Sequence, residues 1–324
     1  MSKGDKILYI ACGVLFAALA ILPQTGALTG FVLRTITLAL MYALLAQAWN
    51  FIGGYTGYAA FGNVAFFGIG ATTTAVLMVK AHWAFLPSML TGGLLCAALS
   101  LVIGPPLLRL RGHYFAVATL GIANAARELI AGWDDVTGGG IGLNLPLNVD
   151  QDFYKQIYYV FLGLVIGITV LSYYISRRKL GFGWLAIREN EEGARALGID
   201  ATLFKTLAWI LTCFIVGIGG GIFAYYNASI TPDALFDPLY STTPILVAIL
   251  GGTGTVVGPI LGALILLPLS TFLLFNFPGI QPSLLGIAII LTIIFVPRGL
   301  YEYLSGRRKL TLSALLQNPR NNKA

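Results

Sequence analysis

Charge is what this chain has least of. Only 10% of its 324 residues are Asp, Glu, Lys or Arg, against about 25% in a soluble domain. Apolar residues make up 57% and mean hydropathy is +0.83. That balance excludes a soluble globular domain, and no long polar segment is left over to form one. Histidine occurs twice, at His82 and His113, each near the end of an apolar run and without partners at metal-ligand spacing. The three cysteines, Cys12, Cys96 and Cys213, lie in separate apolar runs and read as small core residues. No GxSxG, HExxH or GxxxxGK[ST] pattern occurs, so no hydrolytic constellation, catalytic metal or phosphate loop is expected. No cofactor is expected either, and any ATP that drives this protein must be hydrolysed by another subunit. The net charge of +7 does not point to nucleic acid, because the Lys and Arg residues cluster in short loops, the usual membrane-topology bias.

What is present in quantity is continuous apolar sequence. A run of roughly 17–25 apolar residues can cross a bilayer as a helix. The runs are unbroken rather than alternating, which excludes a membrane barrel. Ten spans are read, near 7–23, 31–52, 60–79, 84–107, 113–131, 156–176, 205–227, 240–252, 256–276 and 281–297. The expected fold class is therefore all-α, a polytopic helical bundle in one transmembrane domain over 1–324. Ten spans divide into two sets of five, so the second set would enter from the opposite side as an inverted repeat, with halves 1–155 and 156–300. The eighth run is too short for a straight crossing and leads into Gly251-Gly252-Thr253-Gly254, so it is expected to be broken or re-entrant. Lys3, Lys6 and the apolar run that follows also resemble a cleavable signal, although retention as the first span is expected.

With the N-terminus inside, the inner segments collect Lys3, Lys6, Arg109, Arg111, Arg177, Arg178, Lys179, Arg188, Arg195, Lys205, Arg298, Arg307, Arg308, Lys309, Arg320 and Lys323. The outer side keeps Arg34, Lys80 and Lys155. That asymmetry places both termini, the tail 298–324 and the central loop 177–204 in the cytosol. The outer loops carry Asp134, Asp135, Asp150, Asp152, Asp233 and Asp237, a rim that either docks a basic partner or is simply solvated.

Glycines four apart, at Gly163 and Gly167, Gly217 and Gly221, and Gly254, Gly258 and Gly262, predict close helix packing, since lipid supplies no hydrophobic force between helices. Two glycine-rich breaks, Gly53-Gly54-Tyr55-Thr56-Gly57 and Gly251 to Gly254, follow the second and eighth spans. Interrupted segments at comparable positions of two halves mark transport sites in many carriers. Asn50 and Asn63 flank the first break. They either line a path and bond a polar solute or make interhelical hydrogen bonds. Asn50, Tyr55, Asn63, Gly252 and Gly254 are the candidate path residues from these breaks. Arg127 and Glu128 are adjacent in the fifth span, so they point apart on a helix and do not pair simply.

The densest charge lies at 176–205, which holds ten charged residues between two apolar runs. Trp184 to Leu197 is rich in helix formers and Gly198 suits a helix end. One cytosolic helix with a small-residue face is predicted there, fit to seat in a partner's groove or to serve as a solvated connector.

These residues also resemble a known family. Glu192-Gly193-Ala194 followed by Gly198 resembles the cytosolic motif of ABC importer permeases, and GFGWLAIRENEEGARALGID at 181–200 resembles the same loop in LivM-type branched-chain amino-acid permeases. The resemblance continues, in order, through WNFIGGYTGYAAFGNVAFFGIGA at 49–71, RLRGHYFAVATLGIANAARELI at 109–130, WDDVTGGGIGL at 133–143 and LVAILGGTGTVVGPILGA at 246–263. It implies an importer of the bacterial inner membrane built from this permease, a second related permease, cytosolic ABC ATPase subunits and a periplasmic substrate-binding protein. It implies ATPase contact through Arg188, Glu189, Glu192, Gly193, Ala194, Arg195 and Gly198, and binding-protein docking near Asp134, Asp135 and Asp233. The cargo it implies is a branched-chain amino acid or a related small polar solute. The first block departs from the family: Tyr58, Ala60 and Asn63 stand where glutamine, serine and histidine are usual. If Tyr58 and Asn63 face the path, that path is less polar than the family norm. A permease for urea or short amides is the nearest alternative, and an ion-gradient carrier a remoter one.

Overall fold

The apolar runs form helices. The computed structural model describes residues 3–24, 29–110, 112–146, 152–277, 279–280, 283, 286–287, 290 and 299–305. Most of the tenth predicted span, Arg111, Asp150, Arg298 and the basic tail lie outside the described residues. The first half contains α1 (Lys3–Ile21), α2 (Gly30–Trp49), α3 (Val64–Lys80), α4 (Phe85–Leu107), α5 (His113–Ala131) and the short α6 (Asp134–Thr137). Then follow α7 (Phe153–Ser176), α8 (Lys179–Glu189), α9 (Glu191–Ala196), α10 (Ala201–Asn227), α11 (Pro232–Leu235), α12 (Leu239–Gly251), α13 (Gly258–Asn276) and α14 (Leu300–Leu304).

Seven stretches of the described residues are long and apolar enough to cross a membrane. α3 is apolar but only 17 residues long. α5 forms over the predicted range but is less apolar, with Arg127 and Glu128 in its last turns. The eighth run is broken, as expected: α12 has 13 residues and stops at Gly251. Counted with the separate four-residue α11, the stretch Pro232–Gly251 reaches 20 residues, long and apolar enough to cross.

α10 is the central post. Asp200 caps its start by accepting from the Thr202 and Leu203 amides. Its 27 residues rise about 40 Å, and 78% of its apolar window is buried. It packs along α3 and α4, while α13 lies along α2 and α12, and α2 along α7. Glycine makes the central contact close. A Cβ on Gly70 of α3 would overlap the Gly217 carbonyl of α10, and one on Gly220 would overlap the Phe67 carbonyl. A Cβ on Gly217 would come within 2.7 Å of Cys96 Sγ on α4. The cysteine is therefore a packing residue, and its thiol also donates to the Phe66 carbonyl at 3.2 Å. Gly163 and Gly167 correct another expectation: a Cβ on either meets nothing within 4 Å. They lie on an open face of α7, because spacing alone does not say which face of a helix is covered.

Loops predicted to share a side do meet. Segments 54–58, 108, 188–205 and 252–254 converge at one end. At the other end a two-residue ribbon, absent from the all-α expectation, pairs Leu143–Asn144 with Ser229–Ile230 in antiparallel register. It joins the two outer loops.

Gly70→Ala is expected to lower the apparent melting temperature in detergent by several degrees, an overpacking cost of about 1–3 kcal/mol. Gly163→Ala should be close to neutral, within about 0.5 kcal/mol. Tryptophan fluorescence during heating checks both, and equal losses would contradict the packing described.

Candidate functional site

Several candidate residues gather where helices stop being regular. α2 does not end at Trp49 but widens into a π-helical turn over Asn50–Tyr55, the irregularity often found at functional sites. α12 stops at Gly251, and α13 restarts at Gly258. Gly252 and Gly254 adopt φ of 119° and 74°, which a side chain would oppose. Non-helical backbone at membrane depth must be buried in protein or face water, and here each break supports the other. Asn50 Nδ2 donates to the Thr255 carbonyl at 2.9 Å, and its Oδ1 accepts the Gly254 amide at 2.7 Å. The asparagine is only 2% exposed. Of the two readings for Asn50, the interhelical hydrogen bond is the one formed.

The charged segment reaches into the same place. Arg188 Nη1 donates to the Gly54 carbonyl at 2.8 Å, and a Cβ on Gly254 would lie 2.6 Å from that nitrogen. One guanidinium therefore seats against both breaks. Trp184 fixes α8 beneath the π-turn. It is fully buried, meets the Phe51 and Tyr55 rings, and donates from Nε1 to the Phe204 carbonyl at 2.7 Å.

The segment is not the single helix over Trp184–Leu197 that its composition predicts. Asn190 is extended, with φ −159° and ψ 106°, and its Oδ1 accepts the Gly193 amide at 2.9 Å. It thus ends α8 and caps α9, because asparagine competes for backbone donors in a way that favours a cap over a helix interior. The predicted helix end is present: Gly198 has φ 85° just beyond α9. The predicted coupling residues divide between two surfaces. Glu189, Glu192, Arg195 and Gly198 are exposed, as is Leu197 at 83%. Gly193 is half-buried. Ala194 is buried in a small cluster with Ile187 and Ala201, so it packs within this chain.

Two groups that sequence reasoning left out, Glu191 and Lys205, form the most buried ion pair among the described residues. Lys205 Nζ lies 3.0 Å from Glu191 Oε1, with side chains 3% and 11% exposed. Lys205 also donates to the Leu108 carbonyl at 3.1 Å and to Tyr58 Oη at 2.8 Å. Tyr58 donates in turn to Glu191 Oε2 at 2.6 Å, and Arg195 donates to Oε1 at 2.7 Å. A cavity of about 540 Å³ opens beside the pair, bordered by Tyr58, Phe61, Phe115, Ile187, Arg188 and Glu191. The signal that could have found this pair is the position of Lys205, one turn inside an apolar run, where a lone ammonium needs a partner.

Two further path candidates, Tyr55 and Asn63, are both buried. Tyr55 is buried, its hydroxyl 3.3 Å from Ser172 Oγ. Asn63 is buried at the start of α3, and its Oδ1 has no hydrogen-bond partner among the described residues. On the opposite side, Asp134 and Asp135 are exposed at the start of α6, and Lys80 donates to the Asp135 carbonyl. Asp233 pairs with Arg127 at 2.6 Å. Arg127 also reaches Glu128 at 3.5 Å, correcting the expectation that these neighbours stay apart, because the long arginine side chain curls back along the helix.

A multi-pass helical bundle with two helix breaks bonded to each other and a charged segment seated against both is that of an integral membrane protein. The chain belongs to the family described as branched-chain amino acid transport system / permease component, whose model matches residues 31–297. It is 30% identical to the high-affinity branched-chain amino acid transport system permease protein LivM of Escherichia coli strain K12, over 85% of this chain and 71% of that protein. It is 28% identical to LivM of Salmonella typhimurium over the same shares. It is 26% identical to the probable branched-chain amino acid transport permease protein LivM of Methanocaldococcus jannaschii, over 69% of this chain and 76% of that protein. No solved structure matches significantly. These relatives are all named as transport permeases.

Lys205→Met is expected to cost about 3–5 kcal/mol, since removing one partner strands the other charge in a buried site. Pairing it with Glu191→Leu should recover part of that loss. Melting of the two single variants and the double variant measures the coupling, and losses that simply add would mean the pair is not coupled.

Proposed function

We propose that this chain is a membrane-spanning subunit of an ATP-driven importer for branched-chain amino acids. The end carrying α8 and α9 faces the cytosol, and the protein sits in the plasma membrane. Cytosolic ABC ATPases dock on the exposed face formed by Glu189, Glu192, Arg195 and Leu197. A second, related permease completes the path. A substrate-binding protein docks at the opposite end, near Asp134, Asp135 and Asp233.

The observation that carries the coupling is the Arg188 contact. The outer face of α8–α9 is open to a partner, while Arg188, four residues from Glu192, grips the Gly54 carbonyl beside Gly254. Displacement of that face by an ATPase pulls directly on both helix breaks. The Lys205–Glu191 pair supports this reading by fixing the start of α9 to α10, so force applied at α9 is not lost in a loose loop. Access then alternates by movement of helix bundles around the breaks.

The cargo reading rests on the family and on the relatives named for branched-chain amino acids. They lend no support to a urea or amide permease or to an ion-gradient carrier. The unusual Tyr58 loses its weight as an argument for a different cargo, because its hydroxyl bonds Glu191. Ala60 is fully buried, and its carbonyl accepts from Trp49 Nε1 at 2.9 Å.

Reversing charge at the exposed face with Glu192→Lys should reduce ATP-dependent leucine uptake at least several-fold in proteoliposomes holding the permease pair, ATPase and binding protein. Membrane insertion should stay at the wild-type level, and thermal stability should fall only slightly, by about 0.5–1 kcal/mol, because Glu192 lies in the first turn of α9. Unchanged uptake would remove Glu192 from the ATPase contact.

A further inference from the structure

A second cavity lies away from the charged segment, between α1 and α7. The two helices are pinned at both ends. At one end Tyr158 and Tyr159 donate to the Leu19 and Ala20 carbonyls at 2.7 and 3.1 Å. At the other, the Tyr9 and Tyr173 rings meet edge to face with centroids 5.2 Å apart. Between the pins the helices part and leave a groove of about 530 Å³. Its walls are mainly apolar, including Cys12, Phe16, Ile166, Val170 and Val256. Thr169 adds little polarity, since its hydroxyl donates to the Val165 carbonyl and accepts from Gln47.

Length and charge select the occupant. From Tyr9 to Leu19 α1 rises about 15 Å, half of a hydrocarbon core about 30 Å thick, the depth reached by the acyl chains of one leaflet. Beyond the groove's Tyr173 end the chain carries three successive cations. Arg177 stands with its guanidinium carbon 4.2 Å from the centroid of the Tyr173 ring. Arg178 and Lys179 follow, and all three residues are exposed. A second copy of this chain would bring the same basic segment and be repelled. An anionic headgroup is complementary, and basic sites beside transmembrane helices bind such lipids.

We infer that the α1–α7 groove is a binding site for an anionic phospholipid, with an acyl chain between the helices and the phosphate on Arg177, Arg178 and Lys179. The site touches the machinery at Val256, whose carbonyl lies 3.4 Å from Gln47 Nε2, two residues after Gly254. Occupancy therefore braces the side of the second helix break. This inference rests on the chain's membrane location and not on its cargo.

Native mass spectrometry of the detergent-purified full chain, titrated with phosphatidylglycerol or phosphatidylcholine, tests it. The wild type should retain phosphatidylglycerol with at least tenfold preference. Arg177→Gln combined with Arg178→Gln and Lys179→Gln should reduce that affinity by roughly tenfold to a hundredfold. Gly13→Phe should lower occupancy by both lipids, because Gly13 lines the groove and a Cβ there meets nothing within 4 Å. Equal retention of the two lipids by the wild type would overturn the inference without recourse to any variant. So would a dimer of the chain that Gly13→Phe dissociates, since the groove would then be a protein interface.

Discussion

The hydrogen bonds of Asn50 to Gly254 and Thr255 hold together the part of this molecule that departs from regular helix. Each helix break interrupts the regular helix ladder, and a backbone group left buried and unpaired there would cost several kcal/mol. The one buried amide of Asn50, in the first break, satisfies a donor and an acceptor of the second. Everything else at that end is arranged around the join: Arg188 on the Gly54 carbonyl, Trp184 under the π-turn, and the Lys205–Glu191 pair fixing the following helix.

The bundle that carries this join gains no hydrophobic force from lipid and relies on close contact. Gly70, Gly217 and Gly220 bring backbones together where α3, α4 and α10 meet. That close-packed core contrasts with the margin between α1 and α7, where a groove of about 530 Å³ lies between contacts near the helix ends.

Much of this was legible in the sequence. Apolar runs predict helices, Asp200 and Gly198 occur where helix ends form, and the glycine-rich stretches mark both breaks. Features that depend on a distant partner were not legible. Lys205 reads as a loop cation under a charge-counting rule, yet the fold buries it against Glu191. Asn190 lies in a run of helix formers and still divides the helix, because its side chain serves the Gly193 amide better than solvent does. Gly163 and Gly167 have the spacing of a packed seam but face outward. Tyr58 looks like a change in the solute path until its hydroxyl is found on a carboxylate. In each case the residue type was informative and the neighbour that decides its role lies far away in the chain.

The central claim is that the exposed face of α9 and the break at Gly252–Gly254 move as one body. Spin labels on Leu197→Cys and Thr253→Cys, in the assembled transporter with and without trapped ATP, measure it directly by double electron–electron resonance. A third label on Trp133→Cys, at the opposite end, reports that the transporter has switched. The account predicts that the 197–253 distance stays constant while the 197–133 distance changes. A shift of the 197–253 distance on ATP binding would show that the charged segment slides past the break, and would contradict it.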